Sequence, residues 1–141
     1  MREKIIDPLL ENRTLIVSGS GGLILYQGFL LFVYGTGGIY VILATRELCS
    51  LLWPIILVIG LLVLLLGIKV DLLISQVLIV ILNMIHAIVN IYGIIVIVPT
   101  ASVVPNLYTF APFIVLNCFI IGFVVFLKLA TKKVINEVRM D

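Results

Sequence analysis

Residues 46–71 read RELCSLLWPIILVIGLLVLLLGIKVD, a charged pair, then an uncharged apolar run from Leu51 to Ile68, then Lys69 and Asp71. As a helix, a run of that length reaches about 27 Å at about 1.5 Å per residue, close to the roughly 30 Å hydrocarbon core of a bilayer. Outward from this stretch the pattern repeats. Between Thr14 and Leu127 the only charged residues are Arg46, Glu47, Lys69 and Asp71. These fall as two tight clusters, and Pro99 to Asn106 makes a third, uncharged break. Three breaks in one apolar tract predict four spans, near residues 23–45, 51–68, 72–98 and 107–127, with tails at 1–13 and 128–141.

Composition agrees. Of the 141 residues, 63% are hydrophobic and 11% charged, whereas soluble domains are roughly a quarter charged. The expected fold is therefore all-α: a polytopic membrane protein, a single bundle of four transmembrane helices joined by short loops. The Ser18-Gly-Ser-Gly-Gly22 run reads as the ragged start of the first span, because Thr14 to Thr45 as one helix would be about 48 Å long. Ser50, Asp71 and Asn106 read as caps of spans two, three and four. Cys49 and Cys118 are expected as buried thiols rather than a disulfide, since their depths do not match.

Orientation follows from the basic residues. Eight of the nine Lys and Arg fall on one side of a four-span arrangement, namely Arg2, Lys4, Arg13, Lys69, Lys128, Lys132, Lys133 and Arg139, and only Arg46 on the other. Positive residues are retained on the cytoplasmic side, so both termini are expected there. Residues 1–13 read as an uncleaved cytoplasmic lead, and neither end matches a lipidation signal.

Two patterns at seven-residue spacing point to contacts inside the bundle. Gly21, Gly28 and Gly35 recur along span one, and Gly60 and Gly67 along span two. In lipid, where helices gain nothing from excluding water, such stripes let backbones approach closely. Span three carries Gln76, Asn83 and Asn90, with His86 three residues after Asn83 and four before Asn90, so all four share one helix face. That face is either a hydrogen-bonded seam, with Asn117 and Gln27 as partners, or the wall of a wet path. The Gly35-Thr-Gly-Gly38 cluster offers a second reading, as a break exposing backbone to a cavity.

The chemistry expected of these residues is sparse. Spans free of Asp and Glu offer no base and orienting acid for nucleophilic catalysis, and one histidine does not make a metal site. No enzyme, cofactor, metal or nucleic-acid partner is expected; the partners are the lipid bilayer, copies of the chain and other membrane subunits. In topology the chain is similar to MARVEL-like and other tetraspan proteins but has none of their signature residues. It is similar in size to small multidrug transporters but lacks their membrane-embedded glutamate. The leading expectation is a non-enzymatic structural or accessory subunit of a membrane assembly, a viral envelope lattice included. The alternative is a small homo-oligomeric channel or transporter with span three lining the path.

Overall fold

Four helices among the described residues are long and apolar enough to cross a bilayer. The computed structural model describes residues 8–36, 43–101 and 105–140, with side chains as far as 130. After a helical turn at 8–11, α1 runs Arg13–Thr36, α2 Leu43–Ile68 and α3 Leu73–Tyr92. The third crossing continues through a π turn, Gly93–Ile97, and a 3-10 turn, Val98–Thr100. Helix α4 is Leu107–Met140, and its Leu107–Ala130 portion is the apolar one.

The first crossing sits earlier than the sequence predicts. Helix α1 begins at Arg13 and ends at Thr36, rather than covering 23–45. The glycine and serine run that reads as a ragged start is regular helix, with Ser18 Oγ donating to Thr14 O (2.6 Å) and Ser20 Oγ to Val17 O (2.6 Å). Fraying there would strand backbone N–H and C=O groups where no water can meet them. Gly35 and Thr36 are the last two residues of α1; Gly37 and Gly38, the rest of that cluster, lie outside the described residues. Arg46 and Glu47, expected in a loop, lie in the first turns of α2.

Two of the three expected caps are corrected. Ser50 is inside α2, and its Oγ donates to Gly35 O (3.1 Å). Asp71 makes no cap to α3, whose N-cap is Leu72 without a side-chain bond. Instead Arg13 Nε donates to Asp71 Oδ1 and Nη2 to Oδ2 (3.0 Å), while Nη1 reaches Leu10 O (2.7 Å). Asn106 does cap α4: its Oδ1 accepts from Tyr108 N (3.0 Å), and its own N–H donates to Thr109 Oγ1 (3.2 Å).

The Arg13–Asp71 fork ties the start of α1 to the α2–α3 turn, so both lie at one end of the bundle. The hydrogen bond from Arg13, the larger influence, holds the Asp71 carboxyl below its ordinary range of about 3.8. A depressed carboxyl contributes stability that is present above the ordinary value and lost as pH falls through the lowered one. Because the Arg13 and Asp71 side chains are 37% and 67% exposed, the contribution is at most about 1 kcal/mol. Asp71→Asn is expected to lower the melting temperature slightly at pH 7, by an amount that shrinks as the pH falls below the ordinary carboxylate range, as followed by circular dichroism in detergent. A difference independent of pH would show that the fork is not its source.

The helices pair as two antiparallel hairpins, α1 with α2 and α3 with α4, and the α1–α2 contact is the most extensive. Glycines lie along it where the two helices are close. A Cβ on Gly60 would lie 2.8 Å from Leu25 N and 3.1 Å from Gly21 O. One on Gly67 would lie 2.6 Å from Ser18 N, one on Gly28 2.7 Å from Leu57 Cδ2, and one on Gly35 2.8 Å from Ser50 Oγ. Gly21 meets Leu64 N and Gly60 O in the same way. Gly93, in the π turn, leaves room for the fully buried ring of Phe110.

Apolar side chains pack as two clusters. One gathers Ile24, Leu31, Cys49, Ile56, Ile97 and Phe110; the other gathers Val17, Val70, Ile79, Ile120, Phe123 and Leu127. Cys118, expected buried, is exposed, because its neighbour Asn117 takes the inward position and successive helical residues point about 100° apart. The outer surface is apolar: Leu15, Leu43, Ile74 and Val115 are each about 70% exposed. In water such a surface would aggregate; against acyl chains it costs nothing.

Candidate functional site

Between the two apolar clusters lies a layer of amides around one imidazole. Gln27 of α1, Asn83, His86 and Asn90 of α3, and Asn117 of α4 are each 0% exposed. The spacing of Asn83, His86 and Asn90 turns all three to one side of α3, and their neighbours Met84, Ile85, Ile88 and Ile91 to the outside. Asn117 meets them from α4 because the α3–α4 connection is short and the two helices run antiparallel.

The bonds can be followed atom by atom. Gln27 Nε2 donates to Asn90 Oδ1 (2.6 Å) and to the backbone carbonyl of Thr109 (2.9 Å). Gln27 Oε1 is 2.7 Å from His86 Nε2. Asn117 Nδ2 donates to Asn83 Oδ1 (2.9 Å) and lies 2.9 Å from His86 Nδ1. Asn90 Nδ2 donates to His86 O (2.8 Å) and, more distantly, to Asn117 Oδ1 (3.4 Å). Asn83 Nδ2 closes the set on Ile79 O (2.9 Å).

The partners fix the state of the ring. A carboxamide oxygen only accepts and its nitrogen only donates, so His86 carries its proton on Nε2, toward Gln27, and receives one at Nδ1 from Asn117. A second ring proton would point at the Asn117 amide nitrogen, another donor. The network therefore requires neutral imidazole, and it leaves the ring neither lone pair nor proton for a ligand. Leaving any of these atoms unmet in so dry a place would be costly, and the arrangement avoids it. Among the described residues the one buried side-chain nitrogen or oxygen without a partner is Arg46 Nε, far from this layer.

The predicted polar face thus divides. Asn83, His86, Asn90 and Asn117 come together, and Gln27 joins them from the first hairpin. Gln76 does not, although it shares the seven-residue spacing: it lies about two turns nearer the α2–α3 turn, and its Nε2 donates to Val70 O (2.9 Å). Sequence reasoning missed the Thr109 carbonyl, because every residue has one and nothing in the chain marks which will be reached. The five glycines, for their part, all lie at the α1–α2 contact described above and not in this layer.

Shape adds one element. An apolar cleft of about 550 Å³ opens on the outer surface between α1 and α4, lined by Leu23, Pro112, Phe113, Val115, Leu116 and Phe119. Phe113 lines that cleft and also packs edge-on against His86, with ring centroids 6.2 Å apart. It stands between the imidazole and the surface. Among the described residues no group of three or more His, Cys, Asp or Glu comes together as metal ligands would. No family model matches the chain, and neither does any curated protein or solved structure.

Proposed function

We propose that this chain is a four-span integral membrane protein with both ends in the cytoplasm. On this reading it acts as a non-enzymatic structural or accessory subunit, packed against copies of itself or other membrane proteins. The observation that carries the reading is the closed polar layer. A conducting path needs polar groups that face an axis or a cavity and have bonding capacity to spare. Here the polar face of α3 turns into its own bundle, and the ring and its amide partners consume one another.

What remains for the outside is apolar surface, which serves lipid or a neighbouring subunit equally well. The glycine stripes belong to the same reading: they make the α1–α2 hairpin a thin, rigid unit whose outer faces stay free for partners. Two experiments test it. Purified in mild detergent, the protein is expected to migrate above its own 15.6 kDa, as an oligomer or with a second membrane chain, and to pass no ions or protons in liposomes. Measurable flux that His86→Gln alters would replace it with the channel reading.

Sidedness is tested separately, in a background lacking Cys49 and Cys118. Single cysteines at Ser102 and at Asn136 are expected to react with an impermeant thiol reagent from opposite faces of sealed vesicles. Labelling of both from one face would overturn the four-span arrangement.

A further inference from the structure

Arg46 is the one basic residue at its end of the bundle, and its situation is unusual. It lies near the start of α2, about 35 Å along the helix from Lys69 at about 1.5 Å per residue. Its Nε is sealed from solvent yet has no hydrogen-bond partner, and no ion pair joins it to Glu47. Adjacent helical residues do not face each other. The two opposite charges instead flank one groove of about 430 Å³, whose other walls are Gly35, Leu43, Ser50 and Leu51.

We propose that this groove holds the headgroup of a zwitterionic aminophospholipid, with Arg46 taking the phosphate and Glu47 the ammonium. The proposal rests on the membrane reading above. Among the described residues Arg46 makes no hydrogen bond or ion pair, its Nη groups are not sealed off as Nε is, and phosphate oxygens suit the planar fork of a guanidinium. Ser50 Oγ commits its proton to Gly35 O, so what it can offer a ligand is lone pairs, which an ammonium would use. Leu51, 66% exposed and about a turn deeper along α2, stands where an acyl chain would run. A purely anionic headgroup would satisfy Arg46 but leave Glu47 beside a second negative charge.

Native mass spectrometry of the full chain in mild detergent tests this. Phosphatidylethanolamine and phosphatidylglycerol are supplied in equal amounts, with inorganic phosphate as competitor. The wild type is expected to retain phosphatidylethanolamine over phosphatidylglycerol, and millimolar phosphate not to displace it. Arg46→Gln is expected to lower retained phosphatidylethanolamine about tenfold, the loss of one charge-assisted pair, and Arg46→Lys to lose less. Glu47→Gln is expected to abolish the preference between the two lipids while lipid is still bound, so the proposal stays testable if Arg46→Gln does not fold.

Equal retention of both lipids by the wild type would overturn the site, as would undiminished phosphatidylethanolamine on folded Arg46→Gln or displacement by free phosphate. Extraction of the wild type from vesicles by alkaline carbonate would overturn the membrane reading itself, and is scored independently of lipid choice.

Discussion

Gly60→Leu is expected to destabilise the protein by about 1 to 3 kcal/mol or more, the range of overpacked sites. The first added atom already collides, since a Cβ at 60 would lie 2.8 Å from Leu25 N and 3.1 Å from Gly21 O. Both are backbone atoms and cannot rotate away. Moving α1 aside would relieve the clash only by opening the contacts at Gly21 and Gly67 as well, because the three lie along one seam. In lipid no hydrophobic gain offsets that separation. Gly22→Leu is the control: it adds the same side chain to the same hairpin, where a Cβ would meet nothing within 4 Å. Unfolding in mixed detergent, followed by circular dichroism, reads both. Equal stability of Gly60→Leu and wild type would show that the close approach at Gly60 does not hold the hairpin together.

The glycine positions and the polar face could be read before the structure because both rest on periodicity, which a helix converts directly into a face. The errors share a different cause, the use of water-based rules for a chain that meets little water. Ser18 to Gly22 reads as a poor helix on propensity, yet the missing water makes helix the only affordable backbone there. Arg46 and Glu47 read as a loop because charges avoid apolar tracts, but near a helix end their side chains can extend to the boundary while the backbone stays helical. Ile59, beside Gly60, is buried, 4% exposed, since α3 also packs against α2, on a side that the glycine stripe does not mark. The split between Gln76 and the rest of its face depends on where Asn117 arrives, and that is set by the antiparallel register of α3 and α4.

The second large effect is expected at the centre of the polar layer. His86→Leu would strand the Gln27 carboxamide oxygen, which loses its donor, and one proton of Asn117 Nδ2, which loses its acceptor at Nδ1. Two buried groups left unmet cost about 2 to 6 kcal/mol together. His86→Gln, which keeps one donor and one acceptor at similar depth, is expected to lose about 1 kcal/mol or less, the usual worth of a single bond between membrane helices. Asn117→Leu strands Asn83 Oδ1 and the ring Nδ1 instead. Because His86 and Asn117 are each other's partners, their penalties overlap. The double variant removes donor and acceptor together, and its cost is expected to fall short of the sum of the single costs by more than about 0.5 kcal/mol, the limit within which independent sites add. A cycle built from His86→Leu, Asn117→Leu and the double variant, measured by detergent unfolding at pH 7, supplies that difference. Strict additivity, or a His86→Leu protein as stable as His86→Gln, would mean that the imidazole and the amides are neighbours without being a network. The closed layer would then no longer argue for a scaffold over a pore.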